Sequence, residues 1–299
     1  MSLTCAVTGA NGYVGGVIAA ALRRRGCNVV ELGRKPSAAA DPGGYRRFSL
    51  GDPIDPLTLS GLDALVHCAY DFAPIDPAGI AQSNVEGTLA LFRAARAAGV
   101  KQIIFISSMS AFEGCKSLYG QAKLSVEKNR DELGLIIVRP GLVYGSGARG
   151  MVGSLAKLAS LPLLTPLVGL GNMVLYLAHE QDLGGLIDKL LDPLLPPPPT
   201  PIIAANDSPR TLRQIISILG ASQGKGKKLF VPIPSTALWA MLKTAEAVGL
   251  RPRTRSDSLV SLMNQDPHPD FAGLHRLGVP FREFEASALA PGGGEAKPR

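Results

Sequence analysis

Thr8-Gly9-Ala10-Asn11-Gly12-Tyr13-Val14-Gly15 is the stretch that decides the fold. It follows an apolar run at residues 3–8 that reads as a strand. It opens a stretch at 15–25 in which Val17, Ile18, Ala21 and Leu22 recur at helical spacing. In a strand-turn-helix of this kind each glycine has a separate use. Gly9 permits the tight turn, Gly12 removes a side chain where a pyrophosphate approaches the backbone, and Gly15 lets the helix pack close to the strand. The start of the helix then offers unpaired N–H groups and the positive end of its dipole to phosphate.

Outward from this turn, strand-like runs at 28–32, 64–69, 102–107 and 135–139 alternate with helical stretches at 85–98 and 119–129. Such alternation predicts an α/β fold, a Rossmann-type doubly wound parallel sheet with helices on both faces. After Tyr144 the elements shorten, and glycine and proline become frequent. Residues 1–145 are therefore read as a dinucleotide-binding domain. Residues 146–290 are read mainly as a smaller C-terminal α/β substrate lobe, with some elements returning to the first domain, and 291–299 as a disordered tail. Prolines 196–199 make a stiff loop. Helices are expected from Thr211, with Leu212, Ile215, Ile216 and Leu219 on one face, and from Ser235 to about residue 248.

Composition narrows the classes. With 46% hydrophobic and 18% charged residues the chain can build a packed core. The net charge of +7 would suit an anionic partner. The basic residues are dispersed, however, with only short groups at 23–25 and 225–228 and no nucleic-acid motif, so no nucleic-acid partner is expected. The four cysteines (Cys5, Cys27, Cys68 and Cys115) form no CxxC pair, which suits free thiols in a reduced, cytoplasmic setting. The start of the chain has neither a basic nor a long apolar region, so no signal peptide is expected. The apolar stretch 161–177 is broken by Pro162, Pro166, Gly169, Gly171 and Asn172, which argues against a membrane span. His179, His268 and His275 are scattered without carboxylates at ligand spacing, and no metal site is expected. Asp182 is read as a helix-positioning N-cap.

Tyr119 and Lys123 lie four residues apart, on one face of the predicted helix. A phenol of pKa ~10 is a poor base at neutral pH. A neighbouring ammonium favours the phenolate and should lower that pKa. The pair can then move a proton on and off a carbinol or carbonyl oxygen.

With the TGxxGxxG loop, Val66-His67-Cys68-Ala69, Asn84-Val85-Glu86-Gly87-Thr88, Phe105-Ile106-Ser107-Ser108, Tyr119-Gly120-Gln121-Ala122-Lys123 and Arg139-Pro140-Gly141-Leu142-Val143-Tyr144-Gly145 follow in order. Together they resemble the extended short-chain dehydrogenase/reductase family (NAD-dependent epimerase/dehydratase-like) over residues 4–145. The resemblance implies a catalytic Ser108, Tyr119 and Lys123, with Ser110 as the fallback serine if the register shifts and Met109 takes the place of Ser108. It implies cofactor contacts at Gly9, Asn11, Gly12, Tyr13, Val14 and Gly15. Further contacts are implied at Arg34, at Asp52 (on the adenine), at Cys68 and Ala69, at Tyr119 and Lys123, and at Pro140 and Val143. His67 is read as shaping the loop beside the cofactor. The short segment between Ser108 and Tyr119 implies a more open site, or one closed by the C-terminal lobe. The resemblance also implies a homodimer through the helices at 85–98 and 119–129.

The second strand ends on Leu32-Gly33-Arg34-Lys35. Gly33 stands where an NAD enzyme usually places an acid, and Arg34 could pair with a 2′-phosphate. NADP is therefore favoured over NAD, with Glu31 as the counter-argument. The expected function is an NAD(P)-dependent oxidoreductase acting on a small-molecule alcohol/carbonyl pair. Alternatives are a nucleotide-sugar epimerase with retained NAD and a non-catalytic NADP-binding sensor. Met109-Ser110, where dehydratases usually carry Asp-Glu, speaks against dehydration. The lobe's apolar stretch, Leu155 to Leu170, is read as core or as a hydrophobic substrate pocket. Arg149, Arg210 and Arg213 are candidates for holding a sugar-nucleotide diphosphate.

Overall fold

The computed structural model describes residues 2–145, 150–226, 228–250 and 254–285. The predicted tail at 291–299 and Arg149 lie outside them. The first half alternates as expected: β1 (Thr4–Thr8), α1 (Tyr13–Arg24), β2 (Asn28–Gly33), β3 (Tyr45–Arg47), β4 (Ala64–His67), α2 (Pro77–Ile80), a π-helical turn (Ala81–Glu86), α3 (Gly87–Ala97), β5 (Gln102–Ile106), α4 (Leu118–Glu127), α5 (Arg130–Leu133) and β6 (Leu135–Pro140). The second half comprises β7 (Leu142–Tyr144), α6 (Gly150–Ala159), β8 (Leu164–Val168), β9 (Val174–Leu175), β10 (Leu177–His179), α7 (Glu180–Leu190), β11 (Ile202–Ala204), β12 (Arg210–Thr211), α8 (Leu212–Ser222), β13 (Leu229–Ile233), α9 (Ser235–Ala247), α10 (Ser256–Met263) and α11 (Ala272–Leu277).

Seven strands form one parallel sheet in the order β11-β6-β5-β4-β1-β2-β3. The order reverses between β1 and β4, the position at which ligands bind in open α/β sheets. The period of two along β1 separates two cores. Cys5 and Val7 join Ile18, Leu22, Leu183 and Leu186 of α1 and α7 on one face. Ala6 joins Leu91 and Phe92 of α3 and Val126 of α4 on the other. A third core, with Tyr144, Leu167, Ile215, Ile216 and Phe284, fills the lobe.

The second half of the chain is threaded back into the first. β11 extends the central sheet beside β6, and α7 packs on α1, close enough that a Cβ on Gly184 would lie 2.8 Å from the Ala21 Cβ. Asp182 does not cap α7. His179 is the N-cap, and Asp182 in the first turn takes the guanidinium and backbone N–H of Arg282. The helix expected from residue 85 is preceded by the π-helical turn, in which Asn84 accepts the Asp71 N–H (2.6 Å) and donates to its carbonyl (2.9 Å). The proline loop is held by Arg130, which donates to the carbonyls of Pro198 and Pro199. No helix among the described residues is long and apolar enough to cross a membrane.

Candidate active site

A cavity of about 1160 Å³ opens along the carboxyl ends of β1, β2, β4, β5 and β6 and reaches under α9 and α10. One end is the glycine turn. Gly9 has φ +71°, and a Cβ there would lie 3.0 Å from the Ala69 nitrogen. A Cβ on Gly15 would lie 2.3 Å from the Gly9 carbonyl oxygen, so the close approach that needs glycine is helix to turn. Gly12 caps α1 without a side-chain partner, and the first turn of α1 carries no acid. Gly12, Tyr13, Val14 and Gly15 line this end of the cavity, where the positive end of the helix dipole suits an anion. Tyr13 ties this turn to the lobe by donating to Glu180 (2.7 Å).

Thr8 closes the base of the glycine turn. Its Oγ1 accepts N–H from Cys68 (3.0 Å) and Ala69 (3.1 Å) and lies 2.8 Å from the Nδ1 of His67. With both lone pairs used, the hydroxyl proton goes to Nδ1. His67 is then the neutral Nε2–H tautomer, donating to Thr88 Oγ1 (3.1 Å). Burial, with Lys123 nearby, holds its pKa well below the ordinary value. His67 braces the loop at 68–69 and does not line the cavity.

Towards the end of β2, Glu31 lies at the cavity edge and is already bonded within the protein. It accepts from Ser37 N (2.8 Å), Ser37 Oγ (2.7 Å) and Arg23 (2.9 Å). Burial alone would raise its pKa, but these bonds outweigh burial and lower it. Arg34 and Lys35 are exposed on the cavity rim, with the Lys35 carbonyl held by Asn11 (2.8 Å). Asp52 is exposed and does not line the cavity, although Ser49 and Leu50 do.

Ser108, Tyr119 and Lys123 converge midway along the cavity. The Ser108 hydroxyl lies beside that of Tyr119 and favours its phenolate, and it accepts the Ser110 N–H (3.1 Å). Met109 is buried, and Ser110 is turned away onto Ser261 (2.6 Å). Of the two candidate serines, Ser108 is the one at the tyrosine. Lys123 is buried, donates to the Ile106 carbonyl (2.8 Å) and lies over the Phe105 ring at 4.6 Å and the Tyr119 ring at 5.9 Å. Burial lowers its pKa to about 8 against the opposing pull of Cys68 and Glu127. The expected lowering of the Tyr119 pKa by this lysine is not found. Burial dominates and pushes the phenol up to about 12, with the Ser108 hydrogen bond opposing. Pro140 and Val143 line the same stretch of wall.

Three supports of this constellation are long-range. Glu127, one turn beyond Lys123, is buried between Arg139 (2.6 Å) and Ser107 (2.5 Å). Gly120 brings α4 so near the loop after β5 that a Cβ would lie 2.2 Å from the Ser110 carbonyl oxygen. Asp257, from α10, accepts the N–H of Leu118 (2.7 Å) and Tyr119 (3.0 Å). The short segment between Ser108 and Tyr119 is thus covered by the lobe.

Residues 5–161, more than half of the chain, match the family model described as "NAD dependent epimerase/dehydratase family". The chain belongs to that family. This epimerase/dehydratase-family chain is 28% identical over 274 residues to the uncharacterised protein y4nG of Sinorhizobium fredii, a match covering 83% of the chain and 67% of that relative. It spans 25% of the length of other curated relatives it matches. Among solved structures it resembles gox2253, with a TM-score of 0.69 at 22% identity over 96% of both chains. It also resembles UDP-glucose 4-epimerase of Thermotoga maritima with UDP-glucose, with a TM-score of 0.63 at 17% identity over 87% of this chain and 97% of that one. At these identities the structures establish a shared fold. In this family member Arg210 and Arg213 stand away from the cavity. Arg210 pairs with Glu283, and Arg213 lies over the Phe230 ring (4.7 Å) and donates to the Leu170 carbonyl. The stretch 155–170 likewise divides between lobe core (Leu155, Leu167) and exposed surface (Leu161, Leu163, Leu164, Leu170).

Proposed function

We propose that the protein is an NADP-dependent oxidoreductase that interconverts a carbonyl and an alcohol, with Tyr119 as the proton donor and acceptor. The observation that carries this reading is the convergence of Ser108, Tyr119 and buried Lys123 on the cavity that begins at the glycine turn, with Ser108 close enough to Tyr119 to lower its pKa. The residues fit a dinucleotide. Gly9 and Gly15 let turn, strand and helix close on one another, Gly12 keeps the lining free of a side chain, and the start of α1 turns the positive end of its dipole to the cavity. Asn11, Tyr13, Val14, Cys68, Ala69, Pro140 and Val143 are the further residues proposed to hold it. Arg34 is proposed to meet a 2′-phosphate. Glu31 is already occupied by Ser37 and Arg23 and is a poor partner for ribose hydroxyls. Asp52 is not retained as an adenine contact.

The dinucleotide, when bound, supplies or accepts the hydride. Ser108 holds the substrate oxygen by hydrogen bonding. Tyr119, protonated at neutral pH as any phenol is, donates its phenolic proton to that oxygen during reduction. Lys123, fixed by the Ile106 carbonyl with its ammonium 5.9 Å from the Tyr119 ring, is a positioning residue beside the proton donor.

The family match keeps one second reading open, an epimerase that retains NAD. Titration of the purified protein with NADPH, NADH, NADP and NAD separates the two. Selective NADPH binding supports the oxidoreductase; co-purified NAD supports the epimerase. Tyr119→Phe should bind the dinucleotide normally yet turn nothing over. Failure of every dinucleotide to bind would remove the reading.

A further inference from the structure

The far end of the cavity points to a substrate class. Loop residues Tyr70 and Phe72 build an aromatic group on the catalytic tyrosine. Tyr70 meets Tyr119 edge-on at 4.8 Å, Phe72 lies 4.8 Å from Tyr70, and Phe72 stacks on Tyr119 at 6.2 Å with 16° between the planes. Phe72 is nonetheless 57% exposed, and Trp239 of α9, on the same cavity, is 42% exposed. Large apolar side chains left open along a concave wall are the usual lining of a site for an apolar ligand.

The polar groups on this wall are largely spent on the protein itself. Asp257 holds the start of α4, and Glu246 accepts the N–H (2.8 Å) and hydroxyl (2.6 Å) of Ser256. Ser261 bonds Ser110, and Arg255 donates to the Pro74 carbonyl (3.2 Å). Among the described residues, the lining cations of the lobe are Arg255, which keeps further guanidinium N–H groups beyond its bond to Pro74, and exposed Lys243. The carboxylates of Asp71, Glu246 and Asp257 line the same cavity and oppose the charge of a diphosphate.

We infer that the substrate is an uncharged ketone or secondary alcohol with a bulky apolar body, which packs against Phe72 and Trp239 with its oxygen at Ser108 and Tyr119. This assignment rests on the dinucleotide reading above, and its test keeps the two apart. Trp239 is the chain's one tryptophan, so its emission reports directly from this wall. The protein is first loaded with NADP, with loading measured by calorimetry. It is then titrated with 4-tert-butylcyclohexanone, which cannot react with the oxidised dinucleotide, and separately with UDP-glucose.

The expected result is a saturable blue shift of Trp239 emission with the ketone and none with UDP-glucose. Ketone affinity measured by calorimetry should fall about tenfold or more in Phe72→Ala and in Trp239→Ala, about 1.4 kcal/mol each. NADP affinity should be unchanged in both variants. Saturable binding of UDP-glucose, or ketone binding indifferent to both substitutions, would overturn the substrate assignment and leave the dinucleotide reading standing. Failure to load any dinucleotide would overturn both.

Discussion

The carboxylate of Asp257 accepts the backbone N–H of Tyr119 at 3.0 Å, across 138 residues of chain. With the second bond to Leu118 N it closes the first turn of the helix that carries Tyr119 and Lys123. An acid at a helix N-terminus satisfies donors the helix cannot, and it complements the helix dipole. Asp257→Ala should destabilise the protein by about 2 kcal/mol in urea denaturation. It should also accelerate amide exchange at residues 118 and 119, whereas Asp257→Glu should recover part of both. Unchanged exchange at Tyr119 would mean that the carboxylate does not hold this turn.

Lys123 makes the stability of the fold depend on alkaline pH. Its pKa in the folded protein is about 8, below the ordinary lysine value near 10.5, because burial disfavours the ammonium. Between those limits the unfolded chain binds a proton that the folded chain has released, so this group makes stability rise with pH. Below about pH 8 both states hold the proton and the contribution is flat. Melting temperature measured across this range should rise less in Lys123→Met than in the wild type, and equal slopes would refute the assignment.

On the NADP reading, Arg34 discriminates between the two dinucleotides. Arg34→Ala should weaken NADPH about tenfold, one charge-assisted contact of about 1.4 kcal/mol, and leave NADH unchanged. Parallel titrations check this. An equal loss for both cofactors would assign Arg34 a structural role instead.

Gly120 sets the distance between α4 and the loop that carries Ser108. A methyl group there would press against the Ser110 carbonyl oxygen at 2.2 Å, a contact with backbone that no rotamer can relieve. Gly120→Ala should cost about 2 kcal/mol of stability and separate the Ser108 and Tyr119 hydroxyls. Urea denaturation and a crystal structure of the variant would measure the two effects.

What could be read from the sequence was local. The glycine turn, the strand-helix alternation and the Tyr119–Lys123 spacing are each set within a few residues, and the family and fold follow from them. Ser108 was legible from the Phe105-Ile106-Ser107-Ser108 segment, whereas the turning of Ser110 onto Ser261, 151 residues on, was not. Glu127 with Arg139, and Asp257 with Tyr119, join elements far apart in the chain, and nothing in a single sequence pairs them. Asp182 illustrates the same limit. Its position near a helix start suggested a cap, while its partner, Arg282, lies a hundred residues away. The Tyr119 pKa went the other way for a related reason. Sequence shows the lysine at i+4, but it does not show how thoroughly the surrounding protein strips water from the hydroxyl.

The return of β11 and α7 to the first domain has a consequence for biosynthesis. As the chain leaves the ribosome, the first 145 residues present the open edge of β6 and the uncovered apolar face of α1, since their partners at 202–204 and 180–190 are not yet made. An unpaired strand edge beside bare apolar surface is what neighbouring nascent chains adhere to. The half that carries the glycine turn, Ser108, Tyr119 and Lys123 is therefore the half that most needs shelter until the rest of the polypeptide arrives.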